Sequence, residues 1–349
     1  MMKRRLCLAW TLLLLTACTF PGLRASWTTP GPAPVSPGIS PPTTSPVPLV
    51  RPTPTSAPLG TQENPLVLAL LPALTPEGTR VEAGKAFAAQ LAEETGYTFV
   101  VVVPETYAKL VEALGRGNAH IAVLSPYAYA LAYEKGYVTA AFASLKEGKK
   151  AYGAQFIARV DAGFTSYYDA RAQANTADAA AALSQFRDKK PCWSDATSPS
   201  GYIIPAGILA YHGIVTRPAA FVQGQPTVAR AVYVGGICDF GATYIDAREF
   251  PALRDAFPDI LEQVNVIWQV PPILPYEALV LASNLPPEMA ASLQTALFRL
   301  TGMKAGRQDL VGAYGIENWE TVNDTFYADF LLYLETAPVE IETLLEELP

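Results

Sequence analysis

Three strand-to-helix junctions expected in this sequence pair a hydroxyl residue with a following proline: Thr75-Pro76, Ser125-Pro126 and Ser198-Pro199. Hydroxyl side chains are favoured at a helix N-cap, and proline at the first helical position, where its missing N–H is not needed. Each alone is an ordinary cap worth about 1 kcal/mol. Each also follows an apolar run that reads as a strand, and open α/β sheets hold ligands where strand ends meet helix N-termini. Together the amides of residues 127, 128, 200 and 201 and the hydroxyls of Ser125, Ser198 and Ser200 form a donor set. Such a set suits a small oxyanion with several acceptor oxygens. No Lys or Arg sits directly beside these motifs, so binding would rest on neutral donors.

Other chemistries lack their parts. The sequence contains no G-x-S-x-G, H-E-x-x-H or Walker motif. Asp239-Phe240-Gly241 spells a kinase triplet without the glycine-rich or H-R-D loops, and Asp239 is read instead as ending a strand beside a cleft. Two histidines, His120 and His212, leave little for a zinc site and no nucleophile–base pair, so neither a metal, a cofactor nor an enzyme is expected. The net charge of −7 argues against nucleic acid, which needs a basic face.

The elements that must position these residues alternate. Strands are expected at Leu66–Leu71, Tyr97–Val103, His120–Leu124, Val138–Leu145 and Ala151–Val160. Helices are expected at Thr79–Thr95, Glu105–Arg116 and Pro126–Gly136. The pattern restarts with helices at Ala177–Phe186, Ser200–His212, Pro226–Val234 and Ala247–Phe257, and strands at Pro191–Ser194, Ile237–Ala242, Val264–Val270 and Ala278–Ala282. The tail from Pro287 reads as mostly helical, and Glu340–Glu347 as a solvated helix face. This alternation predicts an α/β fold with parallel sheets in two lobes, the chain crossing twice between them.

The N-terminus sets the compartment. Lys3, Arg4 and Arg5 precede a 12-residue apolar stretch, too short to span a bilayer, that ends in Leu15-Thr16-Ala17-Cys18. This ending resembles the bacterial lipobox, which implies a signal peptide over 1–17 and lipidation of Cys18 at the outer face of the cell membrane. Residues 18–63 read as a tether, with eleven prolines between Thr28 and Gly60. Cys192 and Cys238 remain in the body, and in an oxidising space an even pair reads as one disulfide, the alternative being two buried thiols.

One segment carries a family likeness. Asp195-Ala196-Thr197-Ser198-Pro199-Ser200-Gly201-Tyr202-Ile203-Ile204-Pro205 resembles the anion-binding segment D-P-x-S-T-S-G-[FY]-x-x-P of the phosphate/phosphite/phosphonate ABC-transporter substrate-binding proteins. Pro104-Glu105-Thr106-Tyr107 and His120–Ala128 match the family's second helix start and third strand. The resemblance implies a type II periplasmic-binding-protein fold, with two α/β lobes joined by two hinge strands and a helical C-terminal return. Lobe 1 would comprise 64–156 plus 277–349, and lobe 2 would comprise 157–276. It implies a monomer that takes a phosphorus oxyanion to a permease. Tyr107, Ser125, Ser198, Ser200 and Gly201 map onto ligand-contacting positions. Gln225 falls where relatives use a histidine, and Asp246 where a carboxylate meets a ligand amine, with Tyr276-Glu277 near a second acidic position. Pro199 replaces the middle hydroxyl of the S-T-S run. Tyr127, Tyr129, Tyr202 and Tyr244 would make the cleft more aromatic. With Asp246, Asp239 and Glu277, these tyrosines also leave open a quaternary-ammonium ligand, and a ligand-sensing receptor remains an alternative to transport.

Overall fold

The computed structural model of the chain describes residues 57–71 and 77–347, together with Gly31. The expected signal segment, Cys18, most of the proline-rich stretch and the Thr75-Pro76 junction lie outside the described residues. The chain divides into two units, Met1–Thr55 and Ser56–Pro349, and the second carries the fold.

Its first half runs β1 (Leu66–Ala69), α1 (Glu77–Thr95), β2 (Phe99–Val102), α2 (Tyr107–Gly115), β3 (Ile121–Leu124), α3 (Pro126–Glu134) and β4 (Val138–Leu145). The chain then passes through β5 (Ala151–Arg159), the short hairpin β6 (Tyr168–Asp169) and β7 (Ala174–Asn175), α4 (Ala179–Leu183), β8 (Pro191–Trp193), α5 (Ile204–Tyr211), β9 (Ala220–Phe221), α6 (Gln225–Val234) and β10 (Phe240–Tyr244). It continues through α7 (Pro251–Ala256), α8 (Ile260–Gln263), β11 (Val264–Pro275), β12 (Ala278–Ala282), α9 (Pro287–Gly302), α10 (Lys304–Tyr314), β13 (Asn318–Thr321), α11 (Ala328–Glu335) and α12 (Ile341–Glu347).

Two sheets result. The first has strand order β13-β4-β12-β3-β1-β2, and the second β11-β5-β10-β8-β9. β3 (IAVL) and β12 (ALVLA) are buried along their whole length, as expected for strands covered on both faces. β2 (FVVV) sits at the sheet edge, and its alternate residues are exposed. The chain crosses between sheets twice, through 146–150 between β4 and β5, and through Tyr276-Glu277 between β11 and β12.

The expectation of parallel sheets holds only for one side of each, β3-β1-β2 and β10-β8-β9. β1 pairs in parallel with β2 and β3, and β8 with β9 and β10. β12 runs antiparallel to β3, and β5 antiparallel to β10. The crossings explain this. β3 and β10 end at the cleft, whereas β12 and β5 begin there, so their directions must oppose.

The tail is less helical than its composition suggests: Asn318–Thr321 forms β13 and pairs with β4. Its last helices connect the lobes. α11 packs on α5 of the second lobe, where a Cβ on Gly207 would lie 1.9 Å from the Tyr333 carbonyl oxygen, and Thr336 Oγ1 donates to Gly207 O at 3.0 Å. α12 then returns to α2 and α3 of the first lobe.

Candidate functional site

In the second lobe, β8 delivers the chain to Ser198. Its side chain accepts from Gly201 N at 3.1 Å and caps a wide π-type turn, Pro199–Ile203, that leads into α5. That turn sits where the sequence predicts the first turn of an α-helix. It folds Ser200 inward until only 2 % of the residue is exposed. α6 supplies Gln225 as its first residue. Gln225 Nε2 donates to Ser200 Oγ at 3.0 Å and reaches Ser198 Oγ at 3.4 Å, while its Oε1 accepts from Tyr244 N at the end of β10. α6 can approach this closely because β10 carries Gly241, where a Cβ would lie 2.4 Å from Val228 Cγ1.

In the first lobe, Ser125 caps α3 and accepts from Ala128 N at 3.3 Å, directly after β3. Two residues on, Tyr127 is buried and its hydroxyl donates to Thr197 O at 3.3 Å, joining the two lobes at the anion-site loop. Burial raises the Tyr127 phenol well above its ordinary value, so it stays a donor. Tyr107 opens α2, whose cap is Thr106. Its phenol is pushed up to about 12, first by burial and then by the Glu277 carboxylate, against a smaller opposing effect of Arg80. A cation therefore acts on the first-lobe wall from outside the hydroxyl–proline motifs.

The crossings form the third wall. Tyr152 stacks on Tyr276 with ring centroids 5.3 Å apart. Burial, Tyr276 and Glu277 push its phenol up to about 12. Glu277 accepts from Ser144 Oγ at 2.7 Å and lies 3.4 Å from Lys146 Nζ, and Lys146 sits 4.8 Å over the Tyr276 ring. The Glu277 carboxylate also raises the phenols of Tyr276 and of the buried Tyr327, after the larger effect of burial. A cavity of about 570 Å³ opens beside Tyr152 and Tyr276.

The second-lobe cluster is made of hydroxyls, an amide and one glutamine at helix starts, groups that suit a small oxyanion. A sequence profile describing the periplasmic phosphonate substrate-binding proteins of ABC transporters matches residues 68–327, well over half of the chain. The chain belongs to this phosphonate-binding family. A relative, the phosphate-import protein PhnD of Mycolicibacterium smegmatis, is 27% identical over 232 residues, covering 63% of this chain and 67% of that protein. Among solved structures, XAC2383 from Xanthomonas citri, bound to chloride ion, has a TM-score of 0.50 at 16% identity, covering 81% of this chain and 99% of that one. PhnD1 from Prochlorococcus marinus, in complex with methylphosphonate, has a TM-score of 0.41 at 12% identity, covering 77% of this chain and 96% of that one. The fold is that of the type II periplasmic binding proteins. Membership of a family of transport proteins, not of an enzyme class, implies a small-molecule ligand, an ABC permease and an extracytoplasmic location. Among the described residues no helix is long and apolar enough to cross a membrane.

Within this family member, the structure gathers Ser198, Ser200, Gly201 and Gln225 into one cluster and places Tyr127 against its loop. Asp246 is held differently from the expected amine contact. Its carboxylate is bound by the Arg248 guanidinium at 2.5–3.1 Å and by Gln155 Nε2 at 2.7 Å. Burial raises its pKa, but the Arg248 hydrogen bonds and charge outweigh this and hold it below the ordinary carboxylate value. A ligand amine would have to compete with a guanidinium already seated. Asp239 lies at the opposite end of the strands from Ser198. It precedes β10, accepts from Lys190 N at 2.7 Å and pairs with Arg217 at 2.6 Å. The reading of Asp239 beside the cleft is therefore corrected: parallel β8 and β10 put their amino ends there, and their carboxyl ends at the site. Thr75 lies outside the described residues. Cys192 and Cys238 form the expected disulfide, with Cα atoms 5.6 Å apart.

Sequence reading missed Tyr152 and Ser194. Tyr152 is the second residue after the Lys146–Lys150 turn, and the crossing itself was the signal that the first residues of β5 face the cleft. Ser194 directly precedes the anion-site segment at the end of β8.

Proposed function

We propose that this protein is a lipid-anchored solute-binding protein that captures a small phosphorus oxyanion (phosphonate, phosphite or phosphate) in the cleft between lobes and passes it to an ABC permease. The observation that carries the reading is the Ser198–Ser200–Gly201–Gln225 cluster at a helix start, faced by Tyr127 from the other lobe. The π-type turn concentrates its donors on one point. In this reading Ser125 and the α3 amides hold the ligand from the first lobe, and closure brings the two donor sets together. Lobe 1 comprises 64–156 plus 277–349 and lobe 2 comprises 157–276. Cys18 carries the lipid, the proline-rich segment spans outward from it, and the protein acts as a monomer without catalysis.

Calorimetric titration with phosphate, phosphite, methylphosphonate and 2-aminoethylphosphonate tests this. One anion should bind with micromolar or tighter affinity, and Ser200→Ala should weaken it about 10- to 100-fold, the loss expected for a hydrogen bond to a charged group. Silence from all four anions would end the reading. For the anchor, Cys18→Ser should move the protein from the membrane to the soluble fraction, and an unchanged distribution would count against lipidation.

One observation favours a narrower ligand. Glu277 is a hinge carboxylate beside Tyr276, and its cationic partner is Lys146, an exposed side chain 3.4 Å away that a ligand ammonium group can displace more readily than the guanidinium seated on Asp246. A ligand carrying both an oxyanion and an amine would use both ends of the cleft. Glu277→Gln should then weaken 2-aminoethylphosphonate and leave methylphosphonate unchanged. Loss of both or of neither would reject the amine contact.

A further inference from the structure

Ser194 stands at the carboxyl end of β8 and is fully buried. Its backbone is satisfied: its amide donates to Gly201 O at 3.1 Å, and its carbonyl accepts from Gln223 N at 3.2 Å. Its hydroxyl is not, since Ser194 Oγ is buried and has no hydrogen-bond partner among the described residues. Most buried polar side-chain atoms find a partner, so an orphan hydroxyl calls for a reason. Its position supplies one. A Cβ built on Gly201 would lie 2.0 Å from Ser194 Oγ and 2.9 Å from Ser198 Oγ. The orphan hydroxyl and the capping hydroxyl therefore flank the same Cα, at the edge of the donor cluster that includes Gln225 and Ser200.

The neighbouring segment is short of a donor. Pro199 contributes neither a hydroxyl nor an amide hydrogen to the loop between Ser198 and Ser200.

We propose that the Ser194 hydroxyl is a ligand-binding group of this site, donating to the oxyanion the hydrogen bond that position 199 does not provide. This rests on the oxyanion reading above and extends it to a residue outside the anion-site segment. It also gives Ser194 a signature that a packing role lacks. Without ligand, an unpaired buried hydroxyl costs stability; with ligand, it makes a charge-assisted hydrogen bond. Removing it therefore shifts stability and affinity in opposite directions.

The test uses the full-length protein, with phosphate, phosphite and methylphosphonate as probes. Ser194→Ala should weaken whichever probe the parent binds by about 10- to 100-fold. The melting temperature without ligand should be unchanged or higher. Pro199→Thr in the Ser194→Ala background should recover part of the lost affinity, because it restores a hydroxyl to the same cluster. Affinity within about twofold of the parent overturns the proposal. So does a fall in affinity together with a lower melting temperature that Pro199→Thr does not correct, since that marks a packing residue. If the parent binds none of the probes, the oxyanion reading itself fails and the proposal fails with it. That outcome is distinct from an unaffected Ser194→Ala in a parent that binds.

Discussion

Gly201 has no side chain for a reason that can be stated in ångströms: two hydroxyls already occupy the space a methyl would need. Gly201→Ala should destabilise the loop by about 1–3 kcal/mol as an overpacked site and weaken anion binding at least tenfold, read together by thermal melting and calorimetry. A wild-type melting temperature and affinity would show that the loop yields without cost. His120 makes a different kind of prediction. Val67 N donates to its Nδ1 at 2.9 Å, which requires the neutral ring, and burial holds its pKa below the ordinary 6.5. The unfolded chain therefore takes up the proton first as pH falls. The stability contributed by neutral His120 is complete above the unfolded value and is lost as pH drops through it toward the folded value. The melting temperature should fall between about pH 7.5 and pH 5.5, and His120→Asn should flatten that fall. Equal slopes in both proteins would assign the effect to other groups. At this scale the sequence disclosed the capping hydroxyls, because N-cap chemistry is local. It hid the pairing of Asp246 with Arg248, which depends on a turn that brings together side chains two residues apart.

At the scale of elements, the second-lobe site depends on how closely α6 lies against β10. Gly241→Val would push on Val228 and displace the helix that begins with Gln225. The expected outcome is a loss of about 1–3 kcal/mol and of anion affinity together. A Gly241→Val protein that binds as tightly as the parent would break the link between helix approach and site. The Cys192–Cys238 bond ties the strand before the site to the start of β10 across 46 residues. Replacing both by serine should cost roughly 4 kcal/mol in the chain-entropy account, seen as a lower denaturation midpoint. An unchanged midpoint would mean that the sheet alone fixes the loop. Most helices and central strands were legible because their apolar spacing is strong. β9 and the β6–β7 hairpin were not, since two-residue strands leave too few positions for a period to register, and β13 (NWET) was not because it carries no apolar run. The antiparallel strands were illegible for another reason: direction in a sheet is set by where a crossing enters it, not by composition.

At the scale of the molecule, the two crossings were visible in the restart of the alternating pattern, but the third connection was not. α11 lies on α5 of the second lobe and α12 returns to α2 and α3 of the first, so the C-terminal helices bridge both. Gly207→Leu should drive a side chain into the Tyr333 carbonyl, separate this bridge and lower the melting temperature, with a larger radius of gyration in solution scattering. An unchanged profile would mean that the bridge carries no load. The hydroxyls, amides and glutamine of the second-lobe cluster have a further consequence. Dipoles in a closed cleft are shielded from the surrounding electrolyte in a way that exposed lysines and arginines are not. An anion held by such groups should be captured about as tightly in brackish water as in fresh, so an extracytoplasmic protein can work at an ionic strength it does not control.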